Sequence, residues 1–170
     1  MNVSEAIRTK RAIRQFLDRP LPDEAARAIL NAGRRAQSAK NTQPWHFIAL
    51  RDKATLKALS EMGTWAGHLA GAALGVVIAT PNPAERWSIM FDAGQSAAYM
   101  QLAAWELGIG SCLATIYESE QARALLGVPA ELHLNVALSF GYPASDQTRP
   151  PVVKKGGRRS FEDVIHLEKW

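Results

Sequence analysis

Apolar positions recur along the chain with two periods, and the change of period marks the elements. Ser4 to Lys10 predicts a short helix with Ser4 as N-cap. Pro22 opens a second helix, predicted to reach Ala39, whose stripe Ala25, Ile29, Ala32 and Ala36 keeps helical spacing. Ser38 to Pro44 is turn chemistry, and Trp45 to Leu50 predicts a strand. Asp52 is placed to cap a helix ending at Ser60, and Trp65 to Ala70 predicts another short helix. Ala72 to Ala79 is a continuous apolar run closed by Thr80-Pro81-Asn82-Pro83, the pattern of a strand buried on both faces. Arg86 to Leu107 is the longest helical candidate and is apolar almost all round, which places it in a core or at a subunit interface. Gly108 ends it. Ile109 to Ile116 predicts a strand, Ser119 to Leu126 a helix closed by Gly127, and Leu132 to Phe140 a strand. After a Pro-Gly-basic segment, Ser160 and Asp163 predict a capped short helix. Helices gather at the start instead of alternating strictly with strands, so the expected class is α+β in a single domain over residues 1–170.

Composition narrows this picture. The 170 residues are 47% hydrophobic and 21% charged, which is globular and ordered. Cys112 is the only cysteine, which excludes an intrachain disulfide and a cysteine-based zinc cluster. No run of 18 apolar residues exists and the N-terminus has no signal-peptide pattern, so no membrane partner is expected and the expected location is cytoplasmic. The four histidines are scattered without metal-ligand spacing. The formal charge of +4 is uneven, with the basic excess at the two ends and an acidic middle. That distribution points to a localised anion site.

Four stretches carry candidate chemistry. Lys10-Arg11-Ala12-Ile13-Arg14 concentrates cations; were it helical, Lys10 and Arg14 would share a face, and a bound anion would offset their repulsion. Ser38 to Trp45 includes Asn41 and Gln43, whose amides offer donor and acceptor together, suited to the polar edge of a heterocycle. Leu107-Gly108-Ile109-Gly110-Ser111-Cys112 holds a GxG that follows a helix and lacks a third glycine, so it is a C-cap turn and not a dinucleotide fingerprint. Backbone around Ala114 and Thr115 is a further candidate donor. Arg149 to Arg159 is basic, with Gly156-Gly157 allowing close approach to an anion. Taken singly, the two basic stretches are equally a solvated face and a basic arm, and the amide loop and GxG stretch read better as a polar loop and a helix end.

In this order the four stretches resemble the nitroreductase family of flavin-dependent oxidoreductases. Lys10-Arg11-Ala12-Ile13-Arg14-Gln15-Phe16 is similar to its opening Arg-Arg-Ser-x-Arg-x-Phe motif, and Ala36 to Trp45 to its Ala-Pro-Ser-x-x-Asn-x-Gln-Pro-Trp motif. Leu107 to Cys112 and Gly141-Tyr142-Pro143 with Lys154 to Val164 complete the likeness. Lys10, Ala12 and Gln37 depart from the usual Arg, Ser and Pro. The resemblance implies an α+β fold with a central, mostly antiparallel sheet and a long helix at the interface of a homodimer. It implies FMN, with NADH or NADPH as electron donor. Lys10, Arg11, Ala12, Arg14, Arg158 and Arg159 would surround the phosphate. Ser38, Asn41 and Gln43 would come from the partner subunit, and backbone of Leu113, Ala114 and Thr115 would meet the flavin near N5. The implied reaction is ping-pong hydride transfer to a nitroaromatic, quinone or similar small-molecule acceptor, with no side chain as general acid or base. A specialised flavin enzyme on the same fold and a non-catalytic flavin or nucleotide binder are the alternatives. Nucleic acid is not an expected partner, because the basic residues do not alternate with aromatics.

Overall fold

The computed structural model describes residues 1–144 and 157–170. Its framework is one antiparallel sheet of four strands: β1 (His46–Leu50), β2 (Leu74–Thr80), β3 (Gly110–Thr115) and β4 (His133–Gly141). Their spatial order is β1-β2-β4-β3, which leaves β1 and β3 as the edges. All seven residues of β2 are buried, as its unbroken apolar run requires of a central strand covered on both faces. The register of β2 on β4 shifts once, between Ile78 and Ala79.

Among the described residues the sheet is accompanied by five α-helices: α1 (Val3–Thr9), which packs on α4, α2 (Asp23–Arg34), α3 (Lys53–Ser60), α4 (Ser88–Glu106) and α5 (Ser119–Leu126). Helices α2 and α4 close one face over Ile29, Val76, Met100, Leu138 and Phe140. On the other face Leu59, Leu69, Val77, Ala122, Leu134 and Ala137 form a second core. Each fully buried aliphatic or aromatic side chain of this kind contributes about 1.5–3 kcal/mol. The α2–α4 crossing is close because Gly33 has no side chain: a Cβ there would stand 2.7 Å from Met100, and Ser96 Oγ donates to the Gly33 carbonyl at 3.1 Å.

The predicted elements are present, with local corrections. Helix α1 is capped by Asn2 and not by Ser4; the Asn2 side chain accepts the Glu5 N–H at 2.9 Å. Helix α2 stops at Arg34, short of Ala39, where the Arg35 N–H is shared among three carbonyls of the last turn. Asp52 caps α3 as expected, and Gly127 closes α5 in the left-handed conformation (φ 63°). Trp65 to Ala70 shortens to a 3-10 turn, Gly67–Leu69. Ser160 and Asp163 exchange the predicted pair of hydrogen bonds (3.2 and 3.3 Å), but they brace a single turn and not a helix. The segment 145–156, with Lys154, Lys155 and Gly156, lies outside the described residues. No helix of the described residues is long and apolar enough to cross a membrane.

Candidate functional site

The basic N-terminal run is extended, not helical. Thr9 ends α1, and the chain then lies along the outer edge of β3: Ala12 pairs in parallel with Ser111, and the Ile13 N–H donates to the Ser111 carbonyl at 2.9 Å. Phe16 pairs with Pro143. Burial alternates along this rail, with Ile13 fully buried between exposed Ala12 and Arg14. Two glycines admit the rail. A Cβ on Gly110 would stand 2.6 Å from Ile13, and one on Gly141 would stand 2.8 Å from the Phe16 ring. The GxG stretch therefore divides its labour. Gly108 (φ 71°) turns the chain out of α4, and Gly110 clears room for the cationic run.

Lys10 Nζ donates to Gln101 Oε1 at 2.7 Å, and the Arg11 guanidinium donates to the carbonyls of Arg8 and Lys10 at 2.9 and 3.0 Å. Among the described residues none of Lys10, Arg11 and Arg14 pairs with a carboxylate. Burial dominates the ionisation of the groups around this run, and its cations act second on Cys112 and His68. Burial lowers the Lys10 ammonium below its ordinary range, with Cys112 opposing in part. Burial raises the Cys112 thiol, against the pull of Arg14 and Lys10. Burial also lowers the His68 imidazole, and the Arg14 guanidinium adds to that effect while the Leu113 backbone opposes it. His68 Nδ1 lies 2.8 Å from Ser139 Oγ, and its Nε2 is buried with no hydrogen-bond partner among the described residues. Cations that pair with no carboxylate among the described residues, near the buried His68 Nε2, are donors of the kind an anion site needs. A phosphate monoester fits it.

His68 gives the fold an acid sensitivity. Its folded pKa lies below the ordinary value of about 6.5, so the unfolded chain protonates first as pH falls. Stability present above that value is lost from about pH 6.5 downward, by at most about 1.4 kcal/mol per pH unit. Thermal melts at about pH 7.5 and 5.5 should show the wild type losing more stability than His68→Gln. Equal losses would remove His68 as the cause.

Beside the cations, the outer edge of β3 continues past the rail. Ser111 is covered by the rail, and the Thr115 carbonyl abuts Gly63, where any side chain would strike it. Leu113 lies between them on the same outer edge and is 45% exposed. Ala114 is buried and faces Ala137, so strand pairing occupies its backbone groups. Of the three expected backbone positions, Leu113 lies on the outer edge, where its carbonyl accepts Cys112 Sγ at 3.5 Å, Thr115 is partly covered and Ala114 is turned inward. The Leu113 side chain also lines a cavity of about 150 Å³ with Ile78, Met90, Ala93, Ala97 and Val136.

Ser38, Asn41 and Gln43 lie together in one loop. Ser38 Oγ accepts the Gln43 N–H at 2.9 Å, and Gln43 Nε2 donates to Asn41 Oδ1 at 3.2 Å. Lys40, Asn41 and Gln43 all have positive φ (53°, 54° and 47°), a conformation that costs a non-glycine residue about 1–2 kcal/mol. The amides of Asn41 and Gln43 are exposed. The loop makes no hydrogen bond or ion pair to residues 10–14. It is tied to the first half of α4 through Asp92, whereas Lys10 is tied to Gln101 nine residues on, about 14 Å along the helix.

The tail arginines do not join the cluster in this chain. Arg158 and Arg159 are exposed, and Arg159 donates to the Asp163 carbonyl. Among the described residues, 157–170 form hydrogen bonds only with one another, and none to Lys10 to Arg14. Sequence reasoning missed His68, Asp92 and Gln101. Asp92 carried a signal, being the one acid in α4 before Glu106.

The nitroreductase family model matches residues 7–66 and 59–142, which span the rail, the amide loop, α4 and the whole sheet. The chain belongs to the nitroreductase family. A nitroreductase relative from Archaeoglobus fulgidus, provisionally named an NADH dehydrogenase/NAD(P)H nitroreductase, is 36% identical over 96% of both chains. One of the same provisional name from Methanothermobacter thermautotrophicus is 31% identical over 100% of this chain and 88% of its own. The FMN-dependent nitroreductase of Clostridium difficile R20291 superposes with a TM-score of 0.82 at 26% identity, covering 99% of this chain and 100% of that one. The α+β architecture is thus that of the nitroreductases.

Proposed function

We propose that this chain is an FMN-dependent oxidoreductase that takes electrons from NADH or NADPH and passes them to nitroaromatic, quinone or similar electron-poor acceptors. Donor and acceptor occupy one site in turn. The observation that carries this reading is the row of cations that pair with no carboxylate among the described residues, set beside the half-exposed outer edge of β3 at Leu113. FMN, when bound, supplies the hydride chemistry. Lys10, Arg11 and Arg14 hold its phosphate, and the Leu113 edge meets the ring. No side chain of the cluster is required as a general acid or base. Lys10 and Arg11 also favour negative charge on the ring, because hydrogen bonds to Gln101 and to the Arg8 and Lys10 carbonyls fix them in advance and they are partly shielded from water.

The working unit is a homodimer. Helix α4 leaves Met90, Phe91 and Tyr99 exposed, beside exposed Trp87. The tail likewise exposes Phe161, Leu167 and Trp170, which no described residue covers. Large apolar surface of this kind marks an interface. Two copies of α4 packed antiparallel about a two-fold axis would set the Asp92 end of one beside the Gln101 end of the other. The amide loop of one chain then faces the cations of its partner, and the tail arginines have a second subunit to bind.

The test is direct. The purified protein, titrated with FMN, should turn yellow with stoichiometric uptake and should then consume NADH or NADPH when a quinone is added. A protein that takes up no FMN would overturn the reading; one that binds FMN but never oxidises either nicotinamide would reduce it to a flavin binder.

A further inference from the structure

Asp92 is 3% exposed in a helix that carries no other acid before Glu106. A carboxylate at that depth is costly unless it is paired or hydrogen-bonded. Among the described residues no cation pairs with it; its hydrogen-bond partner is the Ala39 N–H, which donates to Oδ2 at 3.1 Å. Ala39 begins the loop in which Lys40, Asn41 and Gln43 take positive φ. Strained backbone of this kind persists only where its surroundings fix it, and it gathers at functional sites. Hydrogen bonds within the loop close it on itself, among them the Gln43 N–H to Ser38 Oγ and the Asn41 N–H to the Ser38 carbonyl. Two contacts tie it to α4 or the residues leading into it: Asp92 holds the start of the loop, and Arg86 Nη2 donates to Thr42 Oγ1 at 2.8 Å.

We infer that Asp92 is a positioning residue for the cofactor: its carboxylate, fixed on α4, holds Ala39 and so keeps the Asn41 and Gln43 amides presented to the flavin ring. This rests on the proposed role of that loop at the partner's site. The loop serves the ring edge and not the phosphate. Loss of Asp92 therefore weakens FMN and riboflavin by a similar factor, unlike loss of a phosphate-binding cation.

Asp92→Ala, Asp92→Asn, Ala39→Pro and Asn41→Ala are made in the full chain, and FMN and riboflavin affinities are measured by fluorescence titration beside thermal melts. Ala39→Pro removes the same hydrogen bond from the loop side, and the extended Ser38 before it (φ −147°, ψ 153°) is compatible with proline. It serves if Asp92→Ala does not fold. Expected is a loss of about tenfold for both ligands in Asp92→Ala, Ala39→Pro and Asn41→Ala. Asp92→Asn, which keeps an acceptor, should recover most of it. A lowered melting temperature with unchanged affinities would make Asp92 merely structural and overturn the inference. Weakening by Asn41→Ala but by neither change at the Asp92–Ala39 bond would overturn it while sparing the role of the loop. No weakening in any variant would overturn both.

Discussion

Arg14→Ala should weaken FMN binding by about 10- to 100-fold while leaving riboflavin nearly unchanged. Arg14 is exposed, faces no carboxylate among the described residues, and acts electrostatically on both His68 and Cys112. A hydrogen bond to a charged partner contributes about 1.5–3 kcal/mol, and each 1.4 kcal/mol is about tenfold in affinity. Riboflavin has the ring and ribityl chain of FMN but no phosphate, so the difference between the two ligands isolates the ionic contact. The FMN affinity of the wild type should also fall with salt, and that of Arg14→Ala should fall less steeply. Parallel losses for both ligands would move Arg14 from the phosphate to the ring. An unchanged FMN affinity would remove it from the site.

Gly110→Ala should cost about 1–3 kcal/mol of stability and weaken FMN as well. The added Cβ would stand 2.6 Å from Ile13, which is fully buried and cannot swing aside as a long surface side chain does. The rail must lift off β3, and Lys10 and Arg14 leave with it. Gly67→Ala is the control, because a Cβ there meets nothing within 4 Å and its φ is ordinary. Denaturant unfolding gives the stability, and titration of the folded variant gives the affinity. Full stability in Gly110→Ala would mean that the rail has slack, and the glycine would then lose its explanation.

The elements with a strong local signal were legible in the sequence. The apolar run of β2, the length of α4, the Asp52 cap and the Gly127 stop each follow from neighbours in the chain. The basic run was legible as charge but not as shape. Nothing local says that residues 10–17 will be held extended, since that depends on pairing with Ser111 and Pro143 far along the chain. His68 was invisible for the same reason, because its meaning comes from Ser139, 71 residues away, and from Arg14. Ala114 illustrates the opposite error. Sequence offered three consecutive backbone donors, whereas a paired strand exposes alternate ones to its outer edge.

The separation of Asp92 and Gln101 along α4 bears on how the protein holds its cofactor. If the two halves of each site lie at different levels of one helix, and the partner reads that helix in reverse, then neither chain owns a whole site. Retention of flavin becomes a property of protein concentration as well as of flavin concentration. Dilution that separates the chains leaves each with a cationic rail lacking an amide edge, and free flavin in turn draws the chains together by mass action.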